Sequence, residues 1–261
     1  MNPDSKFFDI RIATSETDLA AAQRLRYRVF VEELGGDGPM VDHDARLEKD
    51  EFDEAVDHLV LVDTRRKPAE LDHVVGVYRL LPGTRAAEFG RFYCDSEYDL
   101  SKLKSSGRPL LELGRSCVLP EYRGGAGMFL LWNALSEYVL ELGIEVLFGV
   151  ASFHGTDADA LSQQLSWLHH KCLAPEPIRP VALAEGYQRM DLVPPEELDR
   201  RAAMIGMPAL IKAYLRLGGT VGEGAYLDRD FNTTDVLLLM DTAAMSGKHR
   251  EFYTSRWQTK T

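Results

Sequence analysis

The order of strand-like and helix-like segments predicts an α/β (α+β) fold. Three observations carry that assignment. Short apolar runs alternate with stretches whose apolar residues recur at helical spacing. One run, "EVLFGVASF" at 145–153, is almost continuously apolar, as a strand covered on both faces should be. From Pro175 to about Leu217 the chain becomes proline-punctuated before two final strand-like runs, which marks a helical insertion at 174–217.

"FFDIRIA" (7–13) reads as the first strand. A helix is expected from Glu16 to Leu34, opened by Ser15 with Asp18 three residues on, in the manner of a capping box. Leu19, Ala22, Leu25, Val29 and Phe30 form its inner stripe, and "EELGGDGPM" ends it with three glycines and a proline. The acidic stretch "DHDARLEKDEFDEAVD" (42–57) follows. "HLVLVD" (58–63) and "VVGVYRLL" (74–81) read as strands joined by a polar turn, and "PLLELGRSCV" (109–118) as a third. Helices are expected over Gly127 to Glu141 and over 157–173. The insertion carries the amphipathic helix "MPALIKAYLRLG" (207–218), with Pro208 near its first turn and glycines after it. "GAYLD" (224–228) and "TDVLLLMD" (234–241) read as the closing strands.

The chain has 261 residues, 45% hydrophobic and 27% charged, the composition of a soluble globular protein. No apolar run approaches the roughly 18–20 residues of a spanning helix, and the N-terminus has no basic-then-apolar leader pattern. A cytoplasmic location is expected. Three cysteines, Cys94, Cys117 and Cys172, lie far apart without zinc spacing, so reduced thiols and no metal are expected. A net charge of −11 argues against nucleic acid or an anionic surface as the dominant partner, and favours a cationic small molecule.

The segment order, together with "SCVLPEYRGGAG" (116–127), resembles GNAT-type acyltransferases. That resemblance implies a mixed sheet flanked by helices, in a single domain over 1–261. In that family an (Arg/Gln)-x-x-Gly-x-(Gly/Ala) loop opens a helix whose amides hold the pyrophosphate of coenzyme A. Counting from Arg123, Ala126 and Met128 stand at both required positions, although Gly124, Gly125 and Gly127 still allow close backbone approach. The loop is either an anion cradle or a glycine-rich helix start. A weakened pyrophosphate loop fits a donor with a single phosphodiester, phosphopantetheine on acyl carrier protein, and no bound cofactor is expected.

"LRYRVFVEEL" (25–34), "KDEFD" (49–53), "GVYRLLP" (76–82) and "ELGR" (112–115) resemble, in this order, the motif series of autoinducer synthases. The nearer resemblance is to the L-ornithine Nα-acyltransferases of ornithine lipid synthesis. Its most specific stretch is "PALIKAYLRLGGTVGEGAYLDRDFNTTDV", from 208 to 236. What this implies is transfer of a long, 3-hydroxylated acyl chain from acyl carrier protein to the α-amine of L-ornithine. The amphiphilic product further implies a loose association with the inner membrane face. The alternatives are transfer to glycine or tyrosine, a coenzyme A-dependent N-acetyltransferase, and a non-enzymatic, haemolysin-like acyl-chain or membrane binder.

Residue roles follow from that resemblance and from side-chain chemistry. Glu112 is either the base that accepts the amine proton or the partner of Arg115 or Arg79 in an ion pair. Strand alternation sets 112 and 115 on opposite faces unless a bulge intervenes. Val118 is the expected source of a backbone N–H for the thioester oxyanion. Arg26, Arg79 and Arg115 either hold the substrate carboxylate or lock the acidic segment. Asp50 and Asp53 either attract the ornithine side chain or belong to a solvated loop. Phe30 is core or lines the acyl chain. Arg123, Lys212 and Arg216 either meet the donor's phosphate or its carrier, or face solvent. Cys117 is expected to be a buried thiol rather than a nucleophile.

Overall fold

The computed structural model describes residues 6–123, 126–229 and 231–243. The chain divides into two compact units, each built from discontinuous segments: residues 1–90 with 113–143, and residues 91–112 with 144–261.

In the first unit, β1 (Phe8–Ile12), β2 (Asp57–Asp63), β3 (Val74–Pro82) and the later part of β5 (Leu110–Val118) are neighbours in that order. β1–β2 and β2–β3 are antiparallel, with a register shift at Leu61/Val62. All nine residues of β3 are buried. The sheet is flanked by α1 (Glu16–Arg26) and α4 (Ala126–Glu141). Ser15 Oγ accepts the Asp18 N–H at 3.1 Å, so half of the expected capping box forms. Asp18 does not close the box; its carboxylate accepts from Arg11 and His73 instead. The helix expected to reach Leu34 is α-helical only to Arg26 and continues as π-helical turns over Tyr27–Glu33. α2 (Gly83–Phe89) follows β3.

The second unit holds β4 (Tyr98–Asp99), α3 (Ser101–Ser105), the start of β5, β6 (Val146–His154) and α5 (Ser162–Cys172). β7 (Val181–Ala182), β8 (Tyr187–Gln188), α6 (Arg200–Gly206), α7 (Ala209–Arg216), β9 (Thr220–Val221), β10 (Ala225–Asp228) and β11 (Thr233–Asp241) complete it. β5 and β6 are parallel over three pairs that end at Glu112↔Phe148. β6–β11, β11–β10, β10–β8 and β11–β9 are antiparallel, which makes the sheet mixed. β4 and β7 form a separate two-stranded pair. β6 is buried on both faces only from Val146 to Gly149 and alternates thereafter. Tyr98 ties this unit together: its one hydroxyl proton is shared between the carbonyls of Gly224 and Asp235, each 3.0 Å from the oxygen.

Candidate functional site

Charged residues crowd the interior of the first unit. Gln23 and Arg26 stand four and seven residues after Leu19, so helical periodicity turns them inward with the apolar stripe. Arg26 is fully buried. Its Nε donates to Glu48 and its Nη2 to the Glu48 carbonyl (2.7 Å), while Nη1 and Nη2 reach the two oxygens of Asp53 (2.5 and 3.0 Å). Arg79, on the fully buried β3, donates from Nη1 to Asp50 at 2.5 Å and to Asp53 at 3.2 Å. Arg115 donates from Nε to Glu48 at 3.0 Å, and its Nη2 lies 3.3 Å from Asp50. Gln23 gives Asp53 a further hydrogen bond at 2.9 Å. The charges balance, three guanidinium groups against three carboxylates.

The balance is what makes burial tolerable, since an unpaired charge in this environment costs several kcal/mol. Burial alone would raise the Asp53 pKa, but the charge and hydrogen bond of Arg26, joined by Arg79, bring it down to about 2. Burial also opposes ionisation of Asp50, and Arg79 and Arg115 again prevail. His58 Nε2 donates to the Asp53 carbonyl at 3.1 Å. Its pKa is lowered, first by burial and further by Arg26 and Arg79, so the ring is neutral at pH 7.

Arg115 sits in the middle of β5 with φ +47°, a left-handed conformation that a non-glycine residue rarely adopts in a strand. It interrupts the regular alternation of the strand at 115. Its effect is to send Arg115 to Glu48 and Asp50. The two residues of the "ELGR" motif serve different units. Glu112, 3% exposed, accepts the backbone N–H groups of Tyr93 (2.8 Å) and Cys94 (2.7 Å) in the second unit. The Cys94 thiol is pushed well above its ordinary value by burial and then by the Glu112 charge.

The acidic segment is therefore solvated only in part: Asp44, Glu51 and Glu54 are exposed, whereas Asp50 is half-buried. Glu48 and Asp53 are buried, and Arg26, Arg79 and Arg115 each pair with two of Glu48, Asp50 and Asp53. Phe30 is half-buried within the π-helical turns. Val118 ends β5 with its side chain buried, and its carbonyl accepts from Arg123 Nε at 2.9 Å. Arg123 also grips Glu33 with two 2.6 Å bonds. Gly124 and Gly125 lie outside the described residues. Gly127 opens α4 against β2, where an added Cβ would come within 2.9 Å of Leu61 Cδ2. Lys212 Nζ turns back to the Met204 carbonyl at 3.2 Å, and Arg216 is exposed. Cys117 is buried, and burial pushes its thiol up to about 12, which disfavours the thiolate at neutral pH.

Gln23 and His58 also belong to this interior. Their signals were weak: a polar residue on the apolar stripe of a helix, and a histidine opening an otherwise apolar strand. Among the described residues one carboxylate trio, Glu97, Asp228 and Asp235, brings its oxygens within 4.8 Å of one another in the second unit. An oxygen-only set of this kind suits a hard cation rather than zinc. No helix among the described residues is long and apolar enough to cross a membrane.

Residues 25–133 match the acetyltransferase (GNAT) domain model. The chain is 66% identical over 249 residues to an L-ornithine N(alpha)-acyltransferase of Rhodobacter capsulatus, covering 95% of each. It is 42% identical to the protein of that name from Brucella abortus, covering 94% of this chain and 88% of the other. A CoA-dependent acyl-homoserine lactone synthase, solved with SAM and isopentyl-CoA, has a similar fold. Its TM-score is 0.52 at 16% identity, over 98% of this chain and 90% of that one. An N-acyl amino acid synthase from uncultured soil microbes gives 0.53 at 14% identity, over 91% and 92%.

Proposed function

The chain belongs to the L-ornithine N(alpha)-acyltransferase family, and on that premise we propose that its acyl donor is the phosphopantetheine thioester of acyl carrier protein. It is an N-acyltransferase acting on the α-amine of L-ornithine; the observation that carries this is 66% identity sustained over 95% of both chains. The uncharged α-nitrogen attacks the thioester carbonyl. The C–N bond forms, the C–S bond breaks, and the proton released by nitrogen ends on the departing sulfur as a thiol. The Val118 N–H, at the end of β5, is the donor assigned to the developing oxyanion.

The choice of donor rests on what the glycine-rich loop lacks. Ala126 stands where a pyrophosphate loop has glycine, and Met128 where it has glycine or alanine. Gly127 is used for contact with Leu61, and Arg123 is held by Glu33. The acyl chain is long and 3-hydroxylated in this reading, and its amphiphilic product brings the enzyme to the inner membrane face. Purified protein is to be offered acyl carrier protein and coenzyme A thioesters with ornithine, lysine, glycine or tyrosine, and products read by mass spectrometry. Ornithine-dependent release of free carrier thiol, with an amide product, is expected. Turnover with acetyl-coenzyme A but not with the carrier would overturn the donor.

A further inference from the structure

We propose that Glu112 is a positioning residue that anchors the Phe92–Ser96 turn, and not the base that takes the amine proton. The inference rests on the acyl-transfer reading above. The residue is 3% exposed, and each carboxylate oxygen already accepts a backbone hydrogen: Oε2 from Tyr93 at 2.8 Å, Oε1 from Cys94 at 2.7 Å. A base has to present an oxygen to an incoming N–H in a substrate pose. Here both oxygens are directed at the start of a 3-10 turn, Tyr93–Ser96.

That turn is built to be held. Asp95 accepts the Phe92 N–H at 2.8 Å and receives Lys104 at 2.5 and 2.7 Å. Phe92 is buried edge-on against Phe148 of β6, with ring centroids 5.0 Å apart. Phe148 is also the residue paired with Glu112 in the β5–β6 ladder. Glu112 therefore joins the end of that ladder to the turn through two charge-assisted hydrogen bonds, the strong class for a carboxylate.

Three measurements separate anchor from base. The first is the pH profile of kcat/KM for Glu112→Gln. The amide keeps one acceptor oxygen, so an anchor loses less than about a hundredfold with the acidic limb unmoved, whereas a base contributes about 10²–10⁴-fold and takes the limb with it. The second is rescue of Glu112→Ala by formate, which a missing base accepts and a missing anchor does not. The third leaves Glu112 intact. Tyr93 opens the 3-10 turn, and Phe92 before it has φ −82° and ψ 161°, the backbone that a following proline tolerates.

Tyr93→Pro removes one N–H donor, and Tyr93→Ala removes only the side chain. If Glu112 anchors, the proline variant falls about tenfold or more below the alanine variant, as the loss of a hydrogen bond to a charged group implies. Equal rates for those two, formate rescue, or a lost acidic limb would each overturn the proposal. Failure of the wild-type protein to acylate ornithine would instead sink the functional reading. Amide exchange at Tyr93 and Cys94, faster in Glu112→Ala, reports the anchor independently of activity.

Discussion

Replacing Arg26 with methionine tests the reading of the first unit's interior. The side chain is fully buried and hydrogen-bonded to Glu48 and Asp53, which are 3% and 7% exposed. Methionine fills a similar length without charge. It leaves two buried carboxylates short of a partner and tips a balanced cluster to one net negative charge. Removing one member of a buried ion pair typically costs about 3–5 kcal/mol. A second route gives a similar figure: holding an aspartate near 2 rather than at its ordinary value corresponds to about 2–3 kcal/mol from Asp53 alone.

The pH dependence has a definite sign. Asp53 has a depressed folded-state pKa, so its contribution is complete above the unfolded value near 4 and is lost as pH falls toward 2. In the variant, burial dominates and that depression disappears. Urea unfolding should therefore show a deficit of about 3–5 kcal/mol at pH 7, narrowing as the pH falls below about 4. Arg26→Lys keeps the charge but cannot span Glu48 and Asp53 as a planar fork does, and an intermediate loss is expected. A deficit below about 1 kcal/mol, the range of exposed pairs, or one that does not change with pH, would refute a network held by Arg26.

Arg115→Gly relieves a left-handed strain of about 1–2 kcal/mol but removes a donor from Glu48 and Asp50. Net destabilisation by urea is expected; a more stable protein would show that the strain outweighs the pairing. Gly127→Val is expected to lower stability by about 1–3 kcal/mol through overpacking against Leu61, without raising KM for the acyl donor. The reverse pattern would return Gly127 to a phosphate cradle. Cys117→Ala should keep turnover, and native Cys117 should resist alkylation at pH 8 because its thiol titrates near 12. An acyl-thioester on Cys117 in intact-mass spectra would contradict this.

The long strands and α4 were legible because alternation and apolar runs are local signals. Four two-residue strands, β4, β7, β8 and β9, are too short to carry a period. α5 begins at Ser162, five residues after the expected start, because Asp157 Oδ1 accepts the N–H groups of Asp159 and Ala160 and holds a turn there. The site was harder for a different reason. Whether a run of acids is solvated or buried depends on arginines that fold against it, and these stand far off in sequence. Glu48 meets Arg26, 22 residues before it, and Arg115, 67 after it. A motif preserves which residue types are needed; it does not record which of them pair.

The Glu-x-x-Arg motif shows the consequence. Read along a regular strand, Glu112 and Arg115 suggest a pair, a base with its cation, obstructed only by alternation. The left-handed backbone at 115 breaks the regular alternation of the strand, yet the guanidinium goes to the acidic segment at 48–50. Glu112, the last residue of the β5–β6 ladder, faces the Tyr93 and Cys94 amides. The division of the chain into units also falls between Glu112 and Leu113. Each end of the motif is thus an anchor for its own unit: one fixes a turn through backbone amides, the other fixes an acidic segment through carboxylates. On this argument, variants at 112 and 115 should behave as independent lesions whose stability effects add to within about 0.5 kcal/mol, and strong coupling between them in a double-mutant cycle would restore the pair.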